Sequence, residues 1–167
     1  GTRVLEARAR LATHDSIAVG DRRITAPKII IATGGRPVMP PIPGLDTVGA
    51  LTNESVFSLY TLPDSITIVG GGAVGCELAE AFARLGASVT LVDGLPRLLA
   101  REEPDASAVV ERSLRALGVT VVTGVLIEWV APTPMGGVRV FAGGQETVTD
   151  KLLMAVGRAP NAEDLGL

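Results

Sequence analysis

The fold of this chain is decided by one stretch, SITIVGGGAVGCELAEAFARLGASVTLVD, which occupies residues 65–93. A short apolar run ends at three consecutive glycines, and a further glycine follows at Gly75. A helical pattern then leads to Gly86, a second apolar run and the acid Asp93. This order of strand, G-x-G-x-x-G turn, helix, strand and acid is typical of a dinucleotide-binding βαβ unit.

Each glycine of this stretch has its own steric role. Gly70 allows a sharp turn from strand to helix, Gly72 leaves room for a pyrophosphate, and Gly75 lets helix and strand pack closely. Ala73 and Val74 lie in the first helical turn, whose free N–H groups and positive dipole end favour phosphate. We therefore predict that all five residues bind a dinucleotide. The alternative is a glycine-rich turn without a ligand.

Asp93, at the end of the second strand, predicts which dinucleotide is preferred. A carboxylate there accepts hydrogen bonds from the adenosine ribose hydroxyls but repels a 2′-phosphate, so we expect NAD(H) to bind better than NADP(H). Arg97 is the one nearby charge that would weaken this repulsion. The simpler interpretation of Arg97 is a solvated surface side chain.

The composition disfavours several other classes of protein. The 167 residues fit one domain, or one domain with a piece of another, and carry a net charge of −3 without a basic cluster. We therefore expect no nucleic-acid partner. The single cysteine, Cys76, leaves no intrachain disulfide or cysteine metal cluster, and its place in the helix indicates a small buried thiol. No apolar run is long enough to span a membrane and no signal peptide is evident, so we expect a cytoplasmic protein.

The N-terminal part predicts strands that precede the glycine stretch and belong to another domain. Residues 7–11 alternate between apolar residues and arginines, and residues 16–19 and 23–24 flank a hairpin turn. The run KIIIA, residues 28–32, predicts a continuous buried strand. A stiff proline-rich segment follows and indicates a crossing to a second domain, which begins at residue 61.

The remainder of the chain predicts an α/β domain with a Rossmann-like parallel sheet. We expect the first helix to cover the sheet with an apolar face made of Val74, Leu78, Phe82 and Leu85. The elements expected after Asp93 are a helix over 104–117, a strand over 119–122, an antiparallel meander over 126–130, 138–141 and 146–148, and a last strand over 152–156. Right-handed crossovers put the strand before the glycines between the second and the last strand. Gly157 is then expected to approach the cofactor closely, with a plain turn as the alternative.

Three sequence blocks together resemble the pyridine nucleotide–disulfide oxidoreductases, the family of dihydrolipoamide dehydrogenase, mercuric reductase and glutathione reductase. The blocks are IIIATGGRPVMPPIPGLD (29–46), IVGGGAVGCELAEAFARLGASVTLVD (68–93) and LLMAVGRAPNAEDLGL (152–167). They are similar, in order, to the family's second flavin-domain motif, its nicotinamide-nucleotide motif and the segment returning to the flavin domain. The resemblance implies a partial FAD domain and crossing over 1–60, an NAD(P)-binding domain over 61–157 and a return segment over 158–167.

The resemblance also implies roles for single residues. It places Ala32, Thr33 and Gly34 beside FAD, Ile127 on the adenine, Gly157 at the nicotinamide half, and Glu77 near the flavin–nicotinamide junction. Glu77 has an alternative interpretation, an acid favoured by the dipole at the helix N-terminus.

The chain also departs from the family pattern. It lacks the family's first FAD motif, the redox-active cysteine pair and the C-terminal dimerisation domain, so we expect a central segment that is inactive alone. In the intact enzyme, which the resemblance implies is a homodimer, NADH would deliver hydride to the flavin. Two alternatives stay open: a stand-alone dinucleotide-binding module, and another flavoenzyme with two dinucleotides, such as an NADH oxidase or a ferredoxin reductase.

Overall fold

The computed structural model describes residues 1–167. The chain divides into two compact units, one made of Gly1–Arg36 with Ala159–Leu167 and the other of Pro37–Arg158. From the sequence we predicted divisions after residues 60 and 157. The first of these differs from the structure because the proline-rich segment belongs to the same unit as the glycine stretch. The assignment of these ranges to flavin and nucleotide domains stays a prediction.

The chain contains thirteen strands and two α-helices. In chain order they are β1 (Ala9–Thr13), β2 (Ser16–Val19), β3 (Arg22–Thr25), β4 (Gly35–Pro37), β5 (Leu51–Thr52), β6 (Ser65–Val69), α1 (Ala73–Leu85), β7 (Ser88–Asp93), α2 (Pro104–Ala116), β8 (Thr120–Thr123), β9 (Ile127–Pro132), β10 (Val138–Ala142), β11 (Gln145–Thr149), β12 (Lys151–Met154) and β13 (Arg158–Pro160). Short 3₁₀ helices occupy Leu45–Thr47 and Ser55–Ser58. Neither α-helix has the length and apolar character needed to cross a membrane.

The unit of Gly1–Arg36 and Ala159–Leu167 is built on an antiparallel sheet with the order β1-β2-β3. The predicted hairpin is confirmed, and its turn contains Gly20 at a φ of +57°. The C-terminal segment joins this unit through a hydrogen bond of 2.6 Å from the Leu11 N–H to the Leu165 carbonyl. Arg36 also holds Glu163 through two hydrogen bonds, of 2.6 and 2.9 Å.

The strand predicted over residues 28–32 is wrong. These residues belong to no strand, and 90% of Ile30 is exposed. A buried strand needs hydrogen-bonded neighbours for its backbone N–H and C=O groups. None of the sheets of this chain includes the segment, so its apolar side chains stay at the surface.

The unit of Pro37–Arg158 is built on a five-stranded sheet with the order β5-β12-β6-β7-β8, in which every pair is parallel. The predicted place of β6 between β7 and β12 is confirmed. The sequence did not reveal β5, because two residues carry no periodic pattern. A parallel α/β sheet is therefore the frame that positions the glycine stretch.

Two apolar clusters cover the two faces of this sheet. Ile66 and Ile68 of β6 join the cluster under α1 and α2, whereas Val69 joins the cluster under the meander. That meander is antiparallel with the order β11-β10-β9, as predicted. Alternation along β6 thus sends successive side chains into two different cores.

The buried face of α1 differs from the predicted one. Val74 is 40% exposed and Leu85 is 68% exposed, so these two residues do not cover the sheet. The residues of α1 that are buried are Gly75, Cys76, Ala79 and Phe82. Because three of these are small, the helix can approach the strands more closely than a face of large side chains would allow.

Candidate functional site

The turn from β6 into α1 requires glycine at Gly70. Its φ of +111° is rarely adopted by residues with a side chain. A Cβ atom there would also lie 2.6 Å from the carbonyl carbon of Ala155. Glycine is therefore required at residue 70, where we predicted a sharp turn from strand to helix. The structure adds a second reason, which is close packing against the segment that follows β12.

Gly75 allows α1 to lie directly against the turn that precedes it. A Cβ atom on Gly75 would collide with the carbonyl oxygen of Gly70, which is a backbone atom and cannot move aside. The same Cβ atom would lie 3.6 Å from Leu91 of β7. The predicted role of Gly75 in close packing of helix and strand is thus confirmed.

Gly72, by contrast, faces open space. A Cβ atom there would meet nothing within 4 Å, and Gly72 provides no side-chain cap for α1. The first helical hydrogen bond runs from the Cys76 N–H to the Gly72 carbonyl, over 3.0 Å. The N–H groups of Ala73, Val74 and Gly75 consequently have no acceptor in the chain and are available to an external anion.

Asp93 ties the end of β7 to the glycine turn. Its Oδ2 atom accepts a short hydrogen bond from the Gly71 N–H, and its Oδ1 atom accepts a bond of 2.7 Å from the Leu95 N–H. The carboxylate is half-buried, and each oxygen keeps a further lone pair for another donor. The structure thus brings together the acid and the glycine turn that the sequence assigned to one ligand.

The loop after β7 is fixed to the same peptide. The Leu99 N–H donates a hydrogen bond of 2.8 Å to the Gly71 carbonyl. Because the Gly71 N–H is bonded to Asp93, both backbone polar groups of Gly71 have partners. Leu99 has a φ of +47°, a left-handed conformation that costs a residue with a side chain on the order of 1–2 kcal/mol. No sequence pattern indicated these contacts, because neither Gly71 nor Leu99 belongs to a periodic pattern.

Arg97 holds this loop from within. Its guanidinium donates hydrogen bonds to the carbonyls of Leu99, Ala100 and Glu102, at 3.0, 2.8 and 2.8 Å. The side chain is half-buried. The interpretation of Arg97 as a solvated surface residue is therefore wrong.

Cys76 is a buried thiol beneath the glycine turn. It is 6% exposed, and its Sγ atom lies 3.5 Å from the Gly71 carbonyl oxygen, to which it donates. Burial, with smaller effects from the charges of Asp93 and Glu77, raises the pKa of the thiol to about 11. The predicted small buried thiol is confirmed, and it is protonated at neutral pH.

Glu77 lies on the exposed surface of α1. It accepts no hydrogen bond and forms no ion pair within the chain. It is the fifth residue of the helix, beyond the first turn in which the helix dipole acts most strongly on an acid. The dipole therefore gives little reason for an acid at this position.

Two further predicted residues lie in the same unit as the glycine turn. Gly157 is exposed, has a φ of +126° and accepts a hydrogen bond of 3.0 Å from the Val38 N–H. Ile127 is half-buried at the start of β9 and packs on the meander cluster. The segment before it is tied to the acid, since the Val125 N–H donates to the Asp93 carbonyl over 3.1 Å.

The residues predicted to lie beside FAD belong to the other compact unit. Thr33 donates from its hydroxyl to the Asn161 carbonyl over 2.7 Å, and the Asn161 side-chain amide donates back to the Thr33 carbonyl over 3.0 Å. The Asn161 N–H donates to the Gly34 carbonyl over 3.0 Å. Ala32 and Thr33 line a cavity of about 150 Å³ in this unit. Asn161 thus fixes, through three hydrogen bonds, the segment that contains Ala32, Thr33 and Gly34.

The sequence profile of the pyridine nucleotide-disulphide oxidoreductases matches residues 1–167, the whole length of the chain. The chain belongs to this family. Two curated relatives and one solved structure illustrate how the similarity extends within the pyridine nucleotide–disulfide oxidoreductases. The chain is 33% identical over 170 residues to a mercuric reductase of Bacillus cereus and 31% identical over 170 residues to a glutathione reductase of Nostoc sp..

These relatives are longer members of the oxidoreductase family. The alignments cover 100% of this chain but only 27% of the mercuric reductase and 36% of the glutathione reductase. The solved structure is the Cu(II) complex of the HOCl-induced flavoprotein disulfide reductase RclA from Escherichia coli, with a TM-score of 0.82 and 32% identity. That alignment covers 95% of this chain and 37% of RclA. The chain thus spans about a third of the length of the family members it matches.

Proposed function

We propose that residues 65–93 bind the pyridine nucleotide of a flavin-dependent oxidoreductase. The observation that carries this proposal is the hydrogen bond from the Gly71 N–H to the Asp93 carboxylate. It joins the turn suited to a pyrophosphate to the acid suited to a ribose. The free N–H groups of the first turn of α1 and the open space at Gly72 provide the room and the donors that an anionic ligand needs.

The residues of this chain would bind and orient the nucleotide. The glycine turn and the start of α1 would hold the pyrophosphate, Asp93 the adenosine ribose and Ile127 the adenine. Gly157 would lie beside the nicotinamide half, and the exposed carboxylate of Glu77 would lie where nicotinamide and flavin meet. When both cofactors are bound by the whole protein, the nucleotide supplies a hydride and the flavin accepts it.

We further propose that this site prefers NAD(H) to NADP(H). Both oxygens of Asp93 accept hydrogen bonds from backbone amides, which hold the carboxylate at the end of β7, where its negative charge would repel a 2′-phosphate. The nearby Arg97 points its donors at backbone carbonyls of its own loop. A 2′-phosphate would thus meet the Asp93 carboxylate, and Arg97 would not offset the repulsion.

Separate titrations of the chain with NADH, NADPH and FAD test these proposals. We expect NADH to bind, and NADPH to bind at least about tenfold more weakly, which corresponds to about 1.4 kcal/mol. The Asp93→Asn variant should narrow this ratio, whereas Asp21→Asn, in the turn before β3, should not change it. Equal or tighter NADPH binding would contradict the NAD preference. Binding of FAD without binding of NADH would show that the βαβ unit serves the flavin instead.

For the whole protein we propose a homodimer in which Ala32, Thr33 and Gly34 lie beside FAD. The 167 residues alone hold these three on a segment without sheet partners, so we expect the isolated chain neither to retain FAD nor to turn over NADH. The flavin absorbance of the purified chain is the measurement. A stable yellow protein would contradict this expectation.

A further inference from the structure

The loop between β7 and α2 follows directly after Asp93, and its backbone is held in an unusual conformation. Leu98 is fully buried, and its carbonyl accepts a hydrogen bond of 2.6 Å from the Ser107 hydroxyl of α2. Leu99 adopts its left-handed conformation next to it and bonds to the Gly71 carbonyl. An unusual backbone conformation persists only where its surroundings hold it in place.

Arg97 provides that restraint. Three of the five N–H donors of its guanidinium contact the carbonyls of Leu99, Ala100 and Glu102, so the side chain closes the loop on itself. The Leu99 carbonyl also accepts a bond of 2.8 Å from the Glu102 N–H. Hydrogen bonds from a charged donor are among the stronger ones in proteins.

We propose that Arg97 is a positioning residue. By holding the loop after β7, it keeps Asp93 and Gly71 in the positions in which they would bind the nucleotide. This inference rests on the proposed function, because it concerns the same site. It assigns to Arg97 an effect on the adenosine half of any nucleotide that binds there. Arg97 does not act as a ligand for a 2′-phosphate, because its guanidinium is directed at the backbone.

The test compares Arg97→Ala with Arg97→Lys and with Arg101→Ala. Arg101 lies in the same loop, is exposed, and makes no hydrogen bond or ion pair, so it is a matched control. We expect Arg97→Ala to weaken NADH binding about tenfold and NADPH binding by a smaller factor, because a displaced Asp93 loses its bonds to the ribose and also its repulsion of a 2′-phosphate. Arg97→Lys should recover part of this loss, and Arg101→Ala should bind as the unchanged chain does.

A double-mutant cycle with Asp93→Asn separates positioning from general structural damage. If Arg97 acts through Asp93, adding Arg97→Ala to the Asp93→Asn variant should lower the affinity for NADH by less than about threefold. A full tenfold loss in that background would overturn the proposal. A loss confined to NADPH would overturn it as well, since that is the signature of a phosphate ligand.

Hydrogen exchange of the ligand-free chain supplies a readout that does not depend on nucleotide binding. The amides of Leu95 and Leu99, bonded to Asp93 and Gly71, should exchange at least about tenfold faster in Arg97→Ala than in the unchanged chain or in Arg101→Ala. Unchanged exchange would overturn the proposal whatever the titrations give. Failure of the unchanged chain to bind NADH would instead refute the proposed function alone.

Discussion

Two runs of this chain contain apolar isoleucine side chains, which are buried in one run and exposed in the other. In β6, Ile66 and Ile68 are 1% and 0% exposed, and their backbone pairs with strands on both sides. In residues 29–32, Ile30 is 90% exposed and Ile31 is 48% exposed, and no strand pairs with them. The isoleucine side chain is the same in both runs, and residues 29–32 contain no polar side chain.

The difference shows what an apolar run can and cannot predict. An apolar pattern indicates that a segment would gain free energy from burial, whereas a strand also needs neighbours that bond its backbone. β6 finds those neighbours in β7 and β12, both within the same chain. Residues 29–32 share the preference for burial without any such partner.

The largest expected effect comes from truncating one side chain in each run. Ile68→Ala leaves a cavity in a closed core and should lower the free energy of unfolding by about 2–5 kcal/mol. Ile30→Ala removes a side chain that is already solvated and should change it by less than about 0.5 kcal/mol. Urea unfolding followed by circular dichroism measures both. Equal losses in the two variants would show that residues 29–32 are buried in solution.

The next prediction compares two glycines of the turn, Gly75, which packs against the protein, and Gly72, which faces the space proposed for the ligand. Gly75→Ala forces a Cβ atom into the Gly70 carbonyl and should cost about 1–3 kcal/mol of stability. The methyl group added by Gly72→Ala meets open space, so this variant should lower the free energy of unfolding by less than about 1 kcal/mol. It should nevertheless weaken NADH binding, because the methyl group occupies the space proposed for the pyrophosphate. Unfolding and NADH titration of both variants are the measurements. Full NADH affinity in Gly72→Ala would contradict the proposed site.

A smaller effect tests how apolar the surroundings of β6 are. Thr67 is 1% exposed, and its hydroxyl oxygen has no hydrogen-bond partner. Thr67→Val should therefore raise stability by about 1 kcal/mol, since it replaces an unpaired hydroxyl by a methyl group of similar size. The matched control is Thr149→Val, which removes a bond of 3.1 Å to the Lys151 carbonyl and should lower stability by a similar amount. A loss of stability in both variants would mean that the Thr67 hydroxyl is bonded in solution.

The smallest effect lies in the other unit, at the exposed pair of Arg36 and Glu163. The hydrogen bonds and charge of Arg36 lower the pKa of Glu163 from 4.5 to about 2. The pair thus contributes stability above about pH 4.5, and this contribution is lost as the pH falls towards 2. Carboxyl titration by NMR should give a midpoint near 2, which Arg36→Gln returns towards 4.5 while Arg84→Gln leaves it unchanged. A midpoint near 4.5 in the unchanged chain would show that the pair does not form.

The sequence predicted the βαβ unit well because several local signals agree there. Strand, glycine spacing, helix and acid each restrict the backbone in the same way, and the order of strands follows from right-handed crossovers. The face of α1 was harder to predict, since large residues at helical spacing, such as Leu85, stand out in a sequence more than small ones. In the structure three small residues and Phe82 are buried, whereas Val74 and Leu85 lie at the surface.

The contacts of the loop after β7 could not be predicted from sequence. Arg97 bonds to backbone carbonyls, and any residue supplies a carbonyl, so no residue type marks its partners. The Leu99 conformation likewise carries no sequence signal, because leucine rarely adopts a positive φ. Such features depend on the path of the chain in three dimensions.

The central claim is that the turn at Gly71 to Gly75 binds the pyridine nucleotide, and an NMR titration tests it most directly. Adding NADH to the uniformly ¹⁵N-labelled chain should shift the amide signals of Gly72, Ala73 and Val74 most strongly, because their N–H groups would meet the pyrophosphate. The signals of Thr33 and Gly34 should stay in place. Unchanged signals at the glycine turn, with shifts at Thr33 and Gly34 instead, would contradict the account.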